Sequence, residues 1–190
     1  GYKAHLVREY FAANPPAVAR LSYAAQETQS GTGSAALLAR EFAGGDPFLM
    51  TYGDNLVEPD VYLQILARAA GAEMVLAVKR VDDPWQGGAV YVDGGRVTSI
   101  VEKPPQGTAK TNWLNAGIYV FRPSIFEALD RVELSPRGEY ELTDAVHAIV
   151  DSGRPVGWYA IEGFWRDIGR PEDLSEASRF VGGGEGRPAE

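Results

Sequence analysis

Asp54, Asp167 and the adjacent pair Glu102-Lys103 are the residues of this chain whose types and settings could do chemistry. Asp54 follows Phe48-Leu49-Met50-Thr51-Tyr52-Gly53, an apolar run that reads as a strand buried on both faces. Ligands of open α/β sheets collect beyond the carboxyl ends of the strands. A carboxylate there can hold a hard cation such as Mg²⁺, which takes one or two protein carboxylates together with phosphate oxygens. Gly53 removes a side chain where a ligand must come close. The competing reading is a turn acid, since Gly-Asp and Asp-Asn are ordinary loop dipeptides.

Asp167 sits in Gly163-Phe164-Trp165-Arg166-Asp167-Ile168-Gly169, four residues before Pro171. That is far for a simple helix cap, so it is a candidate second metal ligand, with capping as the alternative. Glu102-Lys103-Pro104-Pro105 ends another strand. The acid can accept from sugar or ribose hydroxyls, and the lysine can meet a phosphate as a point charge. The bland alternative is a surface ion pair of little energetic weight; the double proline fixes the backbone and argues against it. Gln26 to Ser34 is a polar loop with two glycines that enters a helix, and its N–H groups could receive an anion or the edge of a base. A plain N-cap competes with that reading. His5 and His147 read as an exposed first-turn residue and a mid-helix residue. The run Glu139-Tyr140-Glu141 reads as a solvated face.

The elements that must position these residues follow from periodicity. An amphipathic helix is expected from the first residues to Asn14-Pro15-Pro16, with Leu6 and Tyr10 on its apolar face. A strand is expected over 18–25, a helix over 34–42, the Phe48 strand, a helix over 59–70 with Val61, Ile65, Leu66 and Ala69 as its stripe, and a strand over 74–81. This alternation predicts an α/β fold with a mainly parallel sheet covered on both faces. Two short strands around Asp93-Gly94-Gly95 form a hairpin. Beyond it come a strand over 113–121, a short helix over 123–129, a helix over 142–152 capped by Thr143, a strand over 155–161, and a last helix over 171–180. Residues 182–190 read as a flexible tail or linker, and 1–181 as one domain.

The chain has 190 residues and a net charge of −8, with no cysteine. That excludes disulfides and thiolate metal sites and fits a cytoplasmic location. The acidic balance argues against nucleic acid as a partner. No apolar run is long enough to cross a membrane, so no membrane partner is expected.

Five motifs in order resemble those of the sugar-1-phosphate nucleotidyltransferases, most nearly glucose-1-phosphate thymidylyltransferase and mannose-1-phosphate guanylyltransferase. They are Gln26…Gly31-Thr32, Pro47 to Asp54, Gly88-Ala89-Val90…Glu102-Lys103-Pro104, Asn115 to Phe121, and Trp165 to Asp173. The resemblance implies a Rossmann-like three-layer α/β/α fold with a mixed, mostly parallel central sheet. It implies Mg²⁺-dependent transfer of a nucleotidyl group from an NTP to a sugar 1-phosphate, giving NDP-sugar and pyrophosphate. It places Gln26 and Gly31 at the base, Asp54 and Asp167 on Mg²⁺, Gly88 and Glu102 at the sugar, and Lys103 on the sugar's phosphate. Asn112 or Asn115 would line the sugar pocket, and Trp165 would pack beside the metal loop.

The family also begins with a strand, a glycine-rich loop bearing an arginine, and a Lys-Pro segment, none of which is in this sequence. The fold is therefore expected to be N-terminally truncated, lacking its first strand-loop-helix-strand unit, and activity is expected to need that segment. The alternative function is a non-catalytic module that binds NDP-sugars. A metal-dependent glycosyltransferase ranks below both, because Asp54-Asn55-Leu56 lacks a second acid. A homo-oligomer is left open.

Overall fold

A computed structural model describes residues 1–182. In chain order the elements are α1 (Ala4–Ala13), α2 (Thr32–Leu37), α3 (Arg40–Ala43), β1 (Phe48–Thr51), β2 (Asn55–Val57), α4 (Asp60–Ala67), β3 (Met74–Arg80), β4 (Gly88–Asp93), β5 (Arg96–Glu102), β6 (Trp113–Phe121), α5 (Ile125–Leu129), α6 (Leu142–Asp151), β7 (Val156–Ile161), β8 (Trp165–Asp167) and α7 (Asp173–Gly182). The main sheet runs β5-β4-β6-β3-β7, with β1 joined to β6 beside β4. A separate two-stranded sheet joins β2 to β8.

β6 is the spine. Its nine residues pair with β3 on one side, and on the other with β4 at its start and β1 at its end. The first five residues of β3, Met74 to Val78, are all buried, as expected for a strand covered on both faces. Alternation then sorts the core. Met74, Leu76 and Val78 enter a cluster with Tyr119, Phe121 and the helices α5 and α6, whereas Val75 and Ala77 face Val57, Ile65 and Ile118 under α4 and the β2–β8 pair. Helical layers thus cover both faces.

Several expectations change. The sheet is mixed, but it is not mostly parallel: among the described residues β3–β7 is its parallel pairing and the rest are antiparallel. The 18–25 strand does not form. Those residues are exposed, and no backbone ladder is recorded for them, so alternation alone has nothing to pair with. α1 forms but buries no residue. The 34–42 helix starts at Thr32 and splits, because Leu38 and Ala39 bond back three residues rather than four and tighten the turn. β1 is half-buried, since it pairs on one edge. Thr143 does not cap α6. Glu141 holds the cap position, and the Thr32 hydroxyl accepts from the Leu142 N–H at 3.0 Å. The expected loop around Trp165 contains β8. α7 is described as far as Gly182, and the expected tail from 183 onward lies outside the described residues.

Candidate functional site

A two-rung corner carries both candidate metal ligands. β2 and β8 pair antiparallel, with Asn55 opposite Asp167 and Val57 opposite Trp165. The Ile168 N–H donates to the Asp54 carbonyl at 2.9 Å and extends the ladder. Two acids remote in sequence therefore leave one corner, both facing solvent. Strands of three residues do not hold themselves, and side chains tie this pair to β6. The Asn55 amide donates to the carbonyls of Ala116 and Gly117 at 2.8 and 3.2 Å, and Trp165 Nε1 donates to Ala116 at 3.0 Å. Gly117 has φ 71°, and a Cβ there would lie 2.9 Å from Asn55 Nδ2 and collide with the Tyr52 ring. Only glycine fits.

Burial, and then the charge of Asp54, push the Asp167 carboxyl above its ordinary range; Asp173 adds to the rise, while Arg170 and the Gly169 N–H oppose it. Backbone pairing thus holds Asp167 beside a like charge that disfavours its ionised form, and a cation at this corner would relieve it. The donors are hard carboxylate oxygens, which suit Mg²⁺. Among the described residues no group of three or more His, Cys, Asp or Glu is arranged to hold a metal. A cation at this corner would thus complete its shell from substrate and water, as Mg²⁺ does.

A cluster of polar side chains lies next to it along β6. Gly88 pairs with Glu102, and a Cβ on Gly88 would stand 3.2 Å from both Asn115 Cβ and Ile100 Cδ1. Gly88 is buried, and its missing side chain is what lets Asn115 and Ile100 pack this close. Asn115 donates to the Tyr119 hydroxyl at 2.6 Å, and the Tyr119 and Tyr52 hydroxyls are 3.5 Å apart. Burial raises the pKa of both tyrosines, so they stay neutral donors. Burial also raises Glu102, against the lowering effects of the Thr143 hydroxyl and Arg137. Arg137 reaches Glu141 at 2.6 Å and Glu102 at 3.6 Å. Lys103 is exposed, takes the left-handed φ of 42°, and bonds through its N–H to the Gly87 carbonyl. A non-glycine residue held at that φ is uncommon, and it sets where the lysine leaves the strand end.

The glycine loop is fastened to the start of α6. Tyr140 N–H donates to Ser30, and Gly33 N–H donates to Tyr140, each at 2.8 Å. Gly31 has φ 111°, and a Cβ there would sit 2.8 Å from Tyr140 N. Its glycine is therefore explained by this backbone contact. Gln26 Nε2 donates within its own loop, to the Gly31 carbonyl at 3.0 Å and Ser34 Oγ at 2.8 Å.

A family model described as nucleotidyl transferase matches residues 1–183. The chain belongs to the nucleotidyl transferase family. Family relatives include the low-salt glycan biosynthesis nucleotidyltransferase Agl11 of Haloferax volcanii, 36% identical over 163 residues, which are 85% of this chain and 45% of that protein. A glucose-1-phosphate thymidylyltransferase of Streptomyces griseus is 37% identical over 164 residues, 85% of this chain and 46% of that protein. The chain thus spans less than half the length of these relatives. A crystal structure of UDP-glucose pyrophosphorylase complexed with UDP-glucose superposes with TM-score 0.78 at 24% identity, over 97% of this chain and 74% of that one. A Bacillus anthracis crystal structure with sucrose gives 0.82 at 22% identity, over 98% and 74%. Both show the fold.

Of the residues expected from sequence, the nucleotidyl transferase fold brings Asp54, Asp167 and Trp165 to one corner and Gly88, Glu102 and Asn115 into one cluster. Asn112 is elsewhere engaged: its amide donates to the carbonyls of Val81 and Asp82 at 3.1 and 2.7 Å. The sequence reading missed Arg137, Tyr52 and Tyr119, and it placed Glu141 on a solvated face. Glu141 is 4% exposed. Arg137 four residues earlier was the available signal, since a buried acid needs a partner.

Proposed function

We propose that this chain carries the metal corner and sugar pocket of a sugar-1-phosphate nucleotidyltransferase. The reaction joins an NTP to a sugar 1-phosphate and releases NDP-sugar and pyrophosphate. The observation that carries the reading is the Asn55–Asp167 register, which sets Asp54 beside Asp167, with the polar side chains of Glu102, Asn115 and Tyr119 clustered nearby. Asp54 and Asp167 would hold Mg²⁺, which when bound supplies positive charge between the phosphates.

The remaining work is positioning. An oxygen of the sugar's phosphate forms a bond to the α-phosphorus while the bond to pyrophosphate breaks in line, with charge spread over oxygens throughout. The attacking oxygen is already anionic, so no general base is required. Glu102 and Asn115 would hold sugar hydroxyls, and Gly88 would let Asn115 sit close against its strand. Lys103 would meet the sugar's phosphate, and Arg137 adds a second cation beside Glu102. Gln26 and Gly31 would border the base. Fixing two reactants in this way removes much of the entropic part of a bimolecular barrier.

The test is pyrophosphate release from common NTPs and sugar 1-phosphates with Mg²⁺. It is run on the chain itself and on the longest natural protein that contains it. Release that disappears in Asp54→Asn supports the reading. Folded protein that releases none in either form overturns it.

A further inference from the structure

The ammonium of Lys79 closes on three consecutive backbone carbonyls. It donates to Ile161 at 3.1 Å, Glu162 at 3.3 Å and Gly163 at 2.7 Å. An ammonium has three donors and no acceptor, so all three are spent. Lys79 lies opposite Ile161 in the parallel pair β3–β7. Alternation along β3 turns it to the face of Val75 and Ala77, the face that also packs Val57 and Trp165. The three carbonyls belong to the segment that leaves β7 and enters β8, and β8 ends at Asp167. From the other side, the carboxylate of Glu58, the residue after β2, occupies the space a Cβ on Gly163 would need. The short segment before β8 is thus gripped by a cation from the main sheet and bordered by an acid from the β2 side.

We infer that Lys79 is a positioning residue for the metal corner. By fixing where β8 begins, it sets the approach of Asp167 to Asp54. The β2–β8 ladder has three register pairs and cannot fix that approach alone. This rests on the reading of Asp54 and Asp167 as metal ligands.

The experiment uses Tb³⁺, a hard-cation stand-in for Mg²⁺ whose luminescence is excited through nearby tryptophan. Trp165 is two residues from Asp167. Tb³⁺ is titrated into the 190-residue chain, and Mg²⁺ is used to compete it away. Wild type is expected to bind, and Asp54→Asn to lose the signal. Lys79→Met and Lys79→Gln should weaken Tb³⁺ binding ~10-fold, the scale of lost outer-shell support. Lys79→Arg, which keeps a cation with several donors, should recover most of it. If Lys79→Met does not fold, Lys79→Gln, similar in length and retaining two donors, gives the same readout. Thermal unfolding is followed on the same samples. A Lys79→Gln protein with unchanged Tb³⁺ affinity overturns the inference, whatever its melting temperature. A wild-type signal lost in Asp54→Asn but unmoved by every Lys79 variant overturns the positioning role alone. No wild-type signal, or one unmoved by Asp54→Asn, overturns the metal corner and this inference with it.

Discussion

Asn55 and Trp165 donate to the same acceptor, the carbonyl of Ala116, at 2.8 and 3.0 Å. One oxygen on β6 thus anchors both strands of the small sheet that carries Asp54 and Asp167. Shared anchoring implies non-additivity. Trp165→Phe leaves the carbonyl bonded to Asn55 and should cost about 1 kcal/mol of stability, the net weight of one hydrogen bond. Asn55→Ala should cost more, because the Gly117 carbonyl also loses one of its two donors and keeps the Tyr52 N–H. The double variant strips Ala116 of both side-chain donors, and its loss should exceed the sum of the singles by roughly 1 kcal/mol, as for an orphaned buried acceptor. Urea unfolding of the four proteins measures it; strict additivity would show that the two bonds are independent.

Asp54→Asn should lower the pKa of Asp167, because the neighbouring charge is among the causes holding it up. Burial remains, so the value should stay above the ordinary carboxylate range. A carbon-13 titration of the Asp167 carboxyl reads this directly. An unmoved titration would mean that the two carboxylates do not sense each other.

Glu102 gives a pH dependence of definite sign. Its carboxyl is raised mainly by burial, while Thr143, Arg137 and Lys103 pull it down and Glu141 pushes it up. The folded state therefore binds this proton more tightly than the unfolded chain. The contribution is fullest at low pH and is lost as pH rises from the ordinary carboxylate range through the raised folded value. Arg137→Met removes a lowering cause and should carry that window upward. Stability curves against pH for wild type, Arg137→Met and Glu102→Gln test it, and the slope should vanish from this window in Glu102→Gln.

What could be read in the sequence was what is decided locally. Asp93-Gly94-Gly95 announced the β4–β5 hairpin because its glycines must take positive φ, and they do, at 53° and 81°. The apolar run before Asp54 announced a strand end for the same kind of reason. The neighbourhood of Asp54 and Asp167 was open only to resemblance, because it depends on three residues of β2 finding three of β8 across most of the chain. Residues 18–25 show the converse. Their alternation says which side chains share a face, but a strand exists only if another backbone lies beside it. Glu141 was misplaced because a Glu-Tyr-Glu run reads as solvated, whereas its burial goes with the Arg137 ion pair and the packing of α6.

Gly117→Ala tests the close approach on which the corner depends. The residue combines φ 71° with a Tyr52 ring where a Cβ would go. The left-handed conformation alone costs about 1–2 kcal/mol for a residue with a Cβ. The clash must add to it by moving Tyr52, which carries Asp54 two residues later. The expected result is a loss of roughly 3 kcal/mol in unfolding free energy, together with weaker cation binding at the corner. A variant as stable as wild type would show that Tyr52 can move aside.

Arg137 and Glu141 make the sharpest case, because the pair is asymmetric. The Glu141 side chain is 5% exposed and that of Arg137 is 35% exposed, with 2.6 Å between them. Arg137 can turn to water if its partner is removed, whereas Glu141 cannot. Arg137→Met should therefore destabilise by about 2–4 kcal/mol, close to the range for a broken buried pair, since it strands a carboxylate whose other recorded partner is the Ser135 hydroxyl. Glu141→Gln should cost less, about 1 kcal/mol, because a neutral amide still accepts from Arg137. Adding Glu141→Gln to Arg137→Met should restore part of the loss by removing the buried charge. Unfolding free energies of the three variants decide it. Equal losses in the two single variants, or a double variant no better than Arg137→Met, would mean that Glu141 reaches water when Arg137 is gone, and that the pair does not hold the start of α6 beside Glu102.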